Sequence, residues 1–406
     1  MDAAEQAKPP FVHTKWRMSK LNRFLALDDF ETAARRHLPA PVFGYISGSS
    51  EQGRSLRANE AVLESYGFIT RVLRDVSQRS QKTELLGQTY ESPFGIAPMG
   101  LSALSAYRGD LVLARAAMKA GILSVMSSAS LIPLEDVARE CPGIWFQAYL
   151  PAEAARVDAM LDRVERAGIK TLMVTADVPV PANRENNVRA GFSAPLRPGL
   201  RLAWNGLTRP RWLAGTFLRT WARHGMPHFE NTHATRGPSL ISSKVVRDLS
   251  GRERFNWSTL ERIRQRWRGH LVVKGVLHPD DARQAQQLGA DGVVLSNHGG
   301  RQLDGAAPAL CMLEAAVRAT GPQYPVLVDG GFRRGTDVLK ALALGARMVL
   351  VGRPFNYAAA VAGEQGVRHG ISLLQAEIDR NLAMLGAPNC GELGPHYLQR
   401  IPAGFQ

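Results

Sequence analysis

Cysteine is scarce in this 406-residue sequence, and the three thiols, Cys141, Cys311 and Cys390, lie far apart without a Cys-x-x-Cys pair. An odd number of isolated cysteines argues against a disulfide framework and against a thiolate zinc site. This cysteine usage is typical of a reduced, cytoplasmic protein, and we expect no bound metal.

Long apolar runs are also missing. No stretch approaches the roughly 18 apolar residues of a membrane-spanning helix, and the first 20 residues lack the apolar core of a signal peptide. No Gly-x-Gly-x-x-Gly follows a predicted strand, and no Gly-x-x-x-x-Gly-Lys-Ser/Thr occurs. The sequence therefore predicts neither a spanning helix nor a secretory leader, and it disfavours a Rossmann or P-loop domain.

Basic residues are abundant: 50 Lys and Arg stand against 36 Asp and Glu, a formal net charge of +14. Such an excess favours anionic partners, which include nucleic acids, membrane surfaces and acidic substrates. No nucleic-acid-binding module and no sheet of stacking aromatics is recognised, so we expect no nucleic-acid partner. With 45% hydrophobic and 21% charged residues, the chain can bury a large core.

Short apolar runs alternate with amphipathic segments from about Ser92 onward. Several of the amphipathic segments end in Ala-Gly or Leu-Gly, which suits a left-handed helix C-cap before the next strand. Eight strand-helix units are the number that closes a parallel (β/α)8 TIM barrel, and an open doubly wound α/β sheet is the alternative. The predicted strands are Phe94–Pro98, Ile122–Ser127, Trp145–Leu150, Thr171–Ala176, Leu271–Lys274, Gly292–Ser296, Pro325–Val328 and Met348–Val351.

The barrel is expected to span residues 91–390. An N-terminal helical lead-in over 1–90 would pack on it, and a tail over 391–406 would follow. The long insert after the fourth strand, residues 186–250, interrupts the alternation. A connection of that length in a compact domain is either functional or mobile.

Polar residues cluster where the predicted strands end, which is the rim that carries the active site in barrels of this kind. Taken singly, each has an ordinary explanation as a helix cap, a turn or an ion pair. Six strands that carry such residues to one rim predict a site, because an unpartnered desolvated charge costs on the order of several kcal/mol. The residues are Gln147, Tyr149, Thr175, Asp177, Arg184, Lys274, Ser296, His298, Arg301, Asp329–Arg333, Gly352 and Arg353.

The last two strand-end loops predict a phosphate site. The glycines of Asp329–Arg333 and Gly352 let backbone N–H groups approach an anion at a helix N-terminus. The guanidiniums of Arg333 and Arg353 add charge-assisted hydrogen bonds.

The remaining strand-end residues suit acid–base chemistry on an anionic substrate. His298 is the candidate base, and Asp177 would hold its tautomer and stabilise the imidazolium. Arg184 and Arg301 would form a fork for a carboxylate, and Lys274 would neutralise charge on a cofactor ring. Together these groups predict oxidation next to a carboxylate.

The stretch SNHGGRQLDG, Ser296–Gly305, makes a resemblance specific. With IAPMGL, WFQAYL, VTADVPVPANRE, VVKGV and VDGGFRRG it resembles the FMN-dependent 2-hydroxy acid oxidising family, most closely its mandelate and bacterial L-lactate dehydrogenases. The resemblance runs from about Asp28 to Leu398. It implies FMN as cofactor and an (S)-2-hydroxy acid, mandelate-like or lactate, as substrate.

The resemblance also implies roles for single residues. His298 would take the proton with support from Asp177, and Arg184 and Arg301 would bind the carboxylate. Tyr45 and Tyr149 would hydrogen-bond the substrate, and Lys274 would face the N1/O2 edge of the flavin. The residues expected to hold FMN are Pro98, Met99, Gly100, Ser127, Gln147, Thr175, Lys274, Ser296, Asp329, Gly330, Gly331, Phe332, Arg333, Gly352 and Arg353.

Gly100 decides the expected electron acceptor, because oxidases of the family usually carry alanine there. Glycine resembles the dehydrogenases, so a quinone-type acceptor is expected, with an oxygen-using oxidase as the alternative. A flavin-binding membrane adaptor without catalysis is the non-enzyme alternative. The family also implies a homo-oligomer, most often a tetramer.

The insert has a composition of its own. No acidic residue occurs between Asn186 and Phe229, and a helix is predicted over Arg211–Arg223. Arginines with interleaved aromatics are typical of interfacial helices on anionic membranes. We therefore expect peripheral attachment to the inner face of the plasma membrane, against a solvated loop or a subunit contact as the alternatives. The residues concerned are Arg197, Arg201, Trp204, Arg209, Arg211, Trp212, Phe217, Arg219, Trp221 and Arg223.

Overall fold

The predicted barrel is confirmed. The computed structural model describes residues 21–193, 196, 199–242 and 251–401, and eight parallel strands in it form a closed barrel. Each strand pairs with the next along the chain, and the eighth pairs with the first through Val349 and Phe94. The strands are Phe94–Ile96, Leu123–Ser127, Trp145–Ala148, Thr171–Thr175, His270–Val276, Gly292–Leu295, Val326–Asp329 and Met348–Val351.

The strands are apolar along their whole length because both of their faces are covered. Outward side chains pack under the surrounding helices, and inward ones fill the barrel with a second set of buried residues. A hairpin of Thr83–Leu85 and Gln88–Tyr90 adds Leu85 and Tyr90 to that inner set. The inner set from the strands is Leu123, Val125, Trp145, Met173, Val272, Val294, Leu327, Met348 and Leu350.

Helices follow the strands as predicted, and the glycines after them adopt left-handed backbone: φ is 64° at Gly121, 77° at Gly168, 83° at Gly289 and 102° at Gly345. The last helix contains non-helical residues at Ala362 and Gly363. The helices around the barrel are Ser102–Ser105, Gly109–Lys119, Leu134–Glu140, Ala154–Arg166, Trp257–Arg266, Pro279–Gln287, Ala309–Thr320, Gly335–Ala343 and Arg353–Leu385.

The described part of the lead-in, from residue 21, is helical only in its first half. Its helices are Leu27–His37, Ala40–Ser47 and Arg54–Glu64, and three short strands follow before the barrel begins. One of these, Tyr66–Phe68, pairs antiparallel with Leu398–Arg400 of the tail. After residue 64 the described lead-in therefore departs from the helical prediction, because one strand pairs with the C-terminal segment and the other two pair with each other.

The insert forms the helices Glu185–Ala190 and Leu200–Leu207 and a continuous helical stretch from Pro210 to His224, whose middle part, Leu213–Leu218, is a π-helix. The helix predicted over Arg211–Arg223 is confirmed. Arg197 lies outside the described residues. Within the described residues, no helix is long and apolar enough to cross a membrane.

Trp212 does not face outward as the membrane expectation required. Its side chain is only 8% exposed, stacks on Phe217 and donates its indole N–H to the carbonyl of Leu104 at 2.7 Å. The sequence predicted that Trp212 lies on this helix, but the hydrogen bond of its indole N–H turns the side chain toward the barrel. Trp212 thus fixes the helix to the barrel.

We predict that Asp110 makes stability depend on pH. Burial raises the pKa of this carboxyl from its ordinary value of 3.8 to about 7, although a hydrogen bond with the Ser130 side chain partly offsets the shift. Between these values the unfolded chain ionises while the folded one stays protonated, so stability falls as pH rises. Asp110→Asn should therefore raise Tm more at pH 8 than at pH 4.5, measured by calorimetry.

Asp281→Asn is the matched control, because Asp281 is exposed in a helix N-terminus. An Asp110→Asn effect of equal size at both pH values would contradict the assignment.

Candidate active site

A single cavity of about 490 Å³ collects most of the predicted site residues at the carboxyl ends of the strands. Three predicted residues lie behind its lining instead of on it. Ser127 donates to Gln147 at 2.9 Å, Ser296 accepts from Lys274 at 2.7 Å, and Asp177 contacts His298. The predicted residues on the lining are Tyr45, Pro98, Met99, Gly100, Gln147, Tyr149, Thr175, Arg184, Lys274, His298, Arg301, Asp329, Gly330, Gly331, Phe332, Arg333, Gly352 and Arg353.

His298 and Asp177 form a close pair. The His298 Nδ1 lies 3.1 Å from both carboxylate oxygens of Asp177, so Nδ1 carries the proton and donates it. In the neutral ring, Nε2 then holds the lone pair, and the Tyr149 hydroxyl lies 3.4 Å from it. The ring is therefore held in the tautomer that a general base requires.

The charges around the pair set its protonation. Burial lowers the pKa of His298 below 6.5, and Asp177 offsets only part of that shift. Burial by itself would raise the pKa of Asp177, but His298 and Lys274 outweigh it and leave the pKa below its usual value. At neutral pH the pair is thus a carboxylate and a neutral imidazole.

The backbone makes this close approach possible at two points. Gly275 has φ of 97° at an irregularity of the fifth barrel strand, and a Cβ there would lie 2.5 Å from the Asp177 carboxyl carbon. His298 itself has φ of 59°, and its N–H donates to the Ser296 hydroxyl at 2.9 Å. Left-handed backbone at a non-glycine residue is sparsely populated and often marks a functional position.

Lys274 is buried and paired. Its Nζ lies 2.7 Å from the Asp329 carboxylate and 2.7 Å from the Ser296 hydroxyl. Burial alone would lower the pKa of Lys274, but Asp329 and Asp177 outweigh burial and raise it. The ammonium charge is therefore retained inside the cavity, next to the base.

Arg301 is held by backbone carbonyls. It donates to the carbonyl oxygens of Tyr45, Ile46 and Gly48 at 2.8–3.1 Å, at the C-terminal end of the lead-in helix Ala40–Ser47. Helix C-terminal carbonyls lack intrahelical partners and attract cations. Burial lowers the pKa of Arg301 to about 10, which still leaves it charged at neutral pH.

Two further arginines extend this cationic surface. Arg353 shares the carbonyls of Ile46 and Gly48 and also donates to that of Gly299. Arg184 donates to the Arg301 carbonyl at 3.0 Å and to the Gln302 side chain at 2.9 Å. The backbone carbonyls that hold Arg353 are neutral, so these bonds orient its guanidinium without cancelling its charge.

The predicted phosphate segment has the expected backbone, with φ of 101° at Gly330 and 91° at Gly331. The helix Arg353–Leu385 begins directly after Gly352, and its first residue lines the same cavity as Gly330 and Gly331. Arg333 departs from the expectation of a dedicated phosphate ligand, because it forms ion pairs with Glu60 at 3.2 Å and Asp28 at 3.5 Å.

Three buried polar atoms on the cavity lining have no hydrogen-bond partner within the described part of the chain: Gln147 Nε2, Thr175 Oγ1 and Asp329 Oδ1. A buried polar group without a partner costs about 1–3 kcal/mol. The three atoms belong to three different strands around one space. This arrangement fits a polar ligand that supplies donors and acceptors to all of them.

Several residues of the cavity and its support were not found from the sequence. Asn59 of the lead-in exchanges amide hydrogen bonds of 2.8 and 2.9 Å with Asn297, next to the base. Phe229 and Thr232 of the insert and Arg252, which follows the insert, also line the cavity. The Arg252 guanidinium lies 4.8 Å from the centre of the Tyr149 ring. The one available signal was that the insert begins at a strand end on the site rim.

Metal ligation has no support in the described ranges. No group of three or more His, Cys, Asp or Glu side chains with the spacing of a metal site occurs there.

Comparison with known proteins decides the family. The model of the FMN-dependent dehydrogenase family matches residues 34–400. The chain belongs to this family. FMN is its cofactor, and the protein is an FMN-dependent 2-hydroxy acid oxidoreductase.

Individual relatives agree over nearly the whole chain. (S)-Mandelate dehydrogenase of Pseudomonas putida is 40% identical over 375 residues, which are 92% of this chain and 93% of that protein. L-Lactate dehydrogenase of Stenotrophomonas maltophilia (strain R551-3) is 38% identical over 384 residues, 93% of this chain and 99% of that protein.

Solved structures show the same fold. The crystal structure of the monotopic membrane protein (S)-mandelate dehydrogenase has a TM-score of 0.83 at 38% identity and covers 93% of this chain and 99% of its own. A mandelate oxidase variant solved with (S)-mandelic acid has a TM-score of 0.76 at 34% identity. It covers 92% of this chain and 98% of its own.

We predict that the pH dependence of this FMN-dependent oxidoreductase reports His298. A base works only when neutral, and burial places the pKa of His298 below 6.5. With the 2-hydroxy acid that proves active, kcat/KM should be constant above neutral pH. On the acid side it should decrease, with a limiting slope of roughly tenfold per pH unit. An inflection above 6.5 would contradict the assignment of His298 as the base.

Proposed function

We propose that this enzyme oxidises an (S)-2-hydroxy acid, mandelate-like or lactate, to the 2-oxo acid, with His298 as the base. One observation carries the proposal. Nδ1 of His298 is occupied by Asp177, and the same cavity holds its Nε2 lone pair, the guanidiniums of Arg184 and Arg301, and the ammonium of Lys274. A neutral base beside three cations suits an anionic substrate that loses a proton.

In this proposal the substrate carboxylate binds Arg184 and Arg301, whose guanidinium groups are oriented by hydrogen bonds to carbonyl and amide oxygens. The hydroxyls of Tyr45 and Tyr149 hydrogen-bond the substrate. His298 Nε2 takes a proton, and Asp177 stabilises the imidazolium that forms. This arrangement serves proton loss from the hydroxyl and from C2 equally well.

The orphaned atoms fit FMN. Gln147, Thr175 and Asp329 would meet polar edges of the flavin and its ribityl chain, and Lys274 would stabilise negative charge on the ring. When bound, FMN supplies the acceptor for the two electrons that leave C2. Pro98, Met99 and Gly100 would line the FMN site, with Ser127 and Ser296 behind them. The phosphate would lie at Asp329–Arg333, Gly352 and Arg353.

A quinone-type acceptor is the proposed destination of the electrons, with the oxygen-using oxidase as the second candidate. Gly100 favours the dehydrogenase through the resemblance to dehydrogenases of the family. A Cβ at Gly100 would lie 2.9 Å from the Ala129 Cβ and 3.2 Å from the Tyr45 hydroxyl, so glycine keeps this part of the cavity open. The adaptor alternative is set aside, because the family to which the chain belongs consists of enzymes.

We further propose that the insert attaches the protein to the anionic inner face of the plasma membrane, as a homotetramer. Trp204 and Trp221 are 68% and 58% exposed on helices that carry arginines and no acidic residue. Leu200, Leu207 and Leu218 are exposed beside them. Arg209 and Arg201 also donate to backbone carbonyls, and Arg219 lies over the Tyr107 ring, while Arg211 and Arg223 are exposed.

The catalytic proposal is tested on the purified FMN-loaded protein under anaerobic conditions. (S)-Mandelate or L-lactate should bleach the visible flavin absorbance, and (R)-mandelate should not. His298→Asn should keep its flavin, but its rate of flavin bleaching should fall by about 10³-fold or more, because the variant lacks the base. Bleaching by His298→Asn at the unmodified rate would refute the base, and bleaching by neither substrate would refute the substrate class.

The membrane proposal predicts a selective loss of binding. Trp204→Ser with Trp221→Ser should release the protein from phosphatidylglycerol vesicles in a sedimentation assay, because both exposed indoles would leave the headgroup layer. Leu73→Ser is the control, since Leu73 is fully exposed outside the insert. Unchanged sedimentation of the double variant would remove the proposal.

A further inference from the structure

The part of the insert next to the cavity is not a free loop. We call Phe229–His233 the insert wall. Asn231 in its centre is fully buried, accepts the N–H of Leu134 at 2.9 Å and donates to the Ile132 carbonyl at 2.7 Å. These are backbone groups at the start of a barrel helix, so the wall is tied directly to the barrel.

Arg163 provides a second attachment from the next barrel helix, Ala154–Arg166. Its Nε and Nη2 contact the Glu135 carboxylate at 2.7 and 2.9 Å, and Nη1 donates to the carbonyls of Glu230 and His233 at 2.7 and 3.0 Å. Nη2 also donates to the Asn231 side chain at 3.2 Å. These contacts use all five N–H groups of the guanidinium.

A buried arginine with five partners is rigid and specific, because each lost partner leaves a desolvated donor behind. Arg163 is 9% exposed. The cation neutralises Glu135, whose pKa it lowers through the shared hydrogen bond. Three of its five bonds serve the wall and none reaches the cavity, so the role of Arg163 is to hold this segment.

The opposite side of the wall faces the substrate space. Phe229, Thr232 and His233 line the same cavity as His298, and Pro238 joins them. Two hydrogen bonds across a loop hold the Phe229 backbone: its N–H donates to the Pro238 carbonyl at 3.1 Å, and its carbonyl accepts from the Gly237 N–H at 2.9 Å. The wall therefore presents an aromatic ring and a proline from a rigid support.

We propose that the insert wall recognises the group attached to C2 of the substrate and favours an aryl group, with Phe229 as the specificity residue and Arg163 as its positioning residue. The inference rests on the proposed function and deepens it. The base and the carboxylate arginines belong to strand-end loops of the barrel. In the proposed function they bind the reacting end of the substrate and not the group attached to C2. An aryl side chain can bury its surface against the Phe229 ring, whereas the methyl group of lactate offers far less surface.

The experiment compares two substrates on the FMN-loaded enzyme. Phe229→Ala and Arg163→Met should lower the ratio of kcat/KM for (S)-mandelate to that for L-lactate by roughly tenfold or more, mainly through KM for mandelate. Arg166→Met is the matched control, because Arg166 is exposed three residues along the same helix. Its ratio should equal that of the unmodified enzyme.

A purely structural role predicts a different pattern. Parallel losses for both substrates, or an unchanged ratio in Phe229→Ala, would overturn the proposal. Phe229→Ala keeps every bond of Arg163, so it decides the matter even where Arg163→Met fails to fold.

Calorimetry separates this inference from the proposed function. Benzoylformate and pyruvate, the corresponding 2-oxo acids, are titrated into the same FMN-loaded proteins. Selective weakening of benzoylformate binding in Phe229→Ala supports the wall even where no hydroxy acid is oxidised. Equal binding of benzoylformate to Phe229→Ala and to the unmodified protein overturns it.

Discussion

The contact between His298 Nδ1 and the Asp177 carboxylate is the interaction on which the site depends. It selects the tautomer, keeps Nε2 available as an acceptor and sets both protonation states at neutral pH. The contact joins the ends of the fourth and sixth barrel strands across the fifth. Gly275, on that fifth strand, leaves room for the carboxylate, because a Cβ there would lie 2.5 Å from the Asp177 carboxyl carbon.

The cations of the site follow from a second constraint, which is the cost of burying charge. Arg301 and Arg353 are held by the last carbonyls of the lead-in helix Ala40–Ser47, where backbone oxygens lack other partners. Neutral acceptors orient a guanidinium and leave its field intact, whereas a carboxylate would cancel it. Lys274 differs, since Asp329 balances it beside the orphaned atoms that fit FMN.

The insert has two working sides. Its outer side exposes Trp204 and Trp221 among arginines, and its inner side places Phe229 on the cavity. Trp212 and Arg163 hold these parts to the barrel through hydrogen bonds to Leu104 and to the wall. In the proposed function, one insertion thus supplies both the membrane contact and the recognition of the substrate side chain.

The sequence by itself determined the barrel and the strand-end residues, because a parallel strand buried on both faces is continuously apolar and ends abruptly where the site begins. Positive-φ glycines after the helices followed for the same local reason. The sequence could not show that Asn59 hydrogen-bonds to Asn297, that the Trp212 side chain packs against the barrel or that Arg163 holds the insert wall. Those contacts join residues from about 70 to 240 positions apart, so only tertiary packing, which follows no local period, decides them.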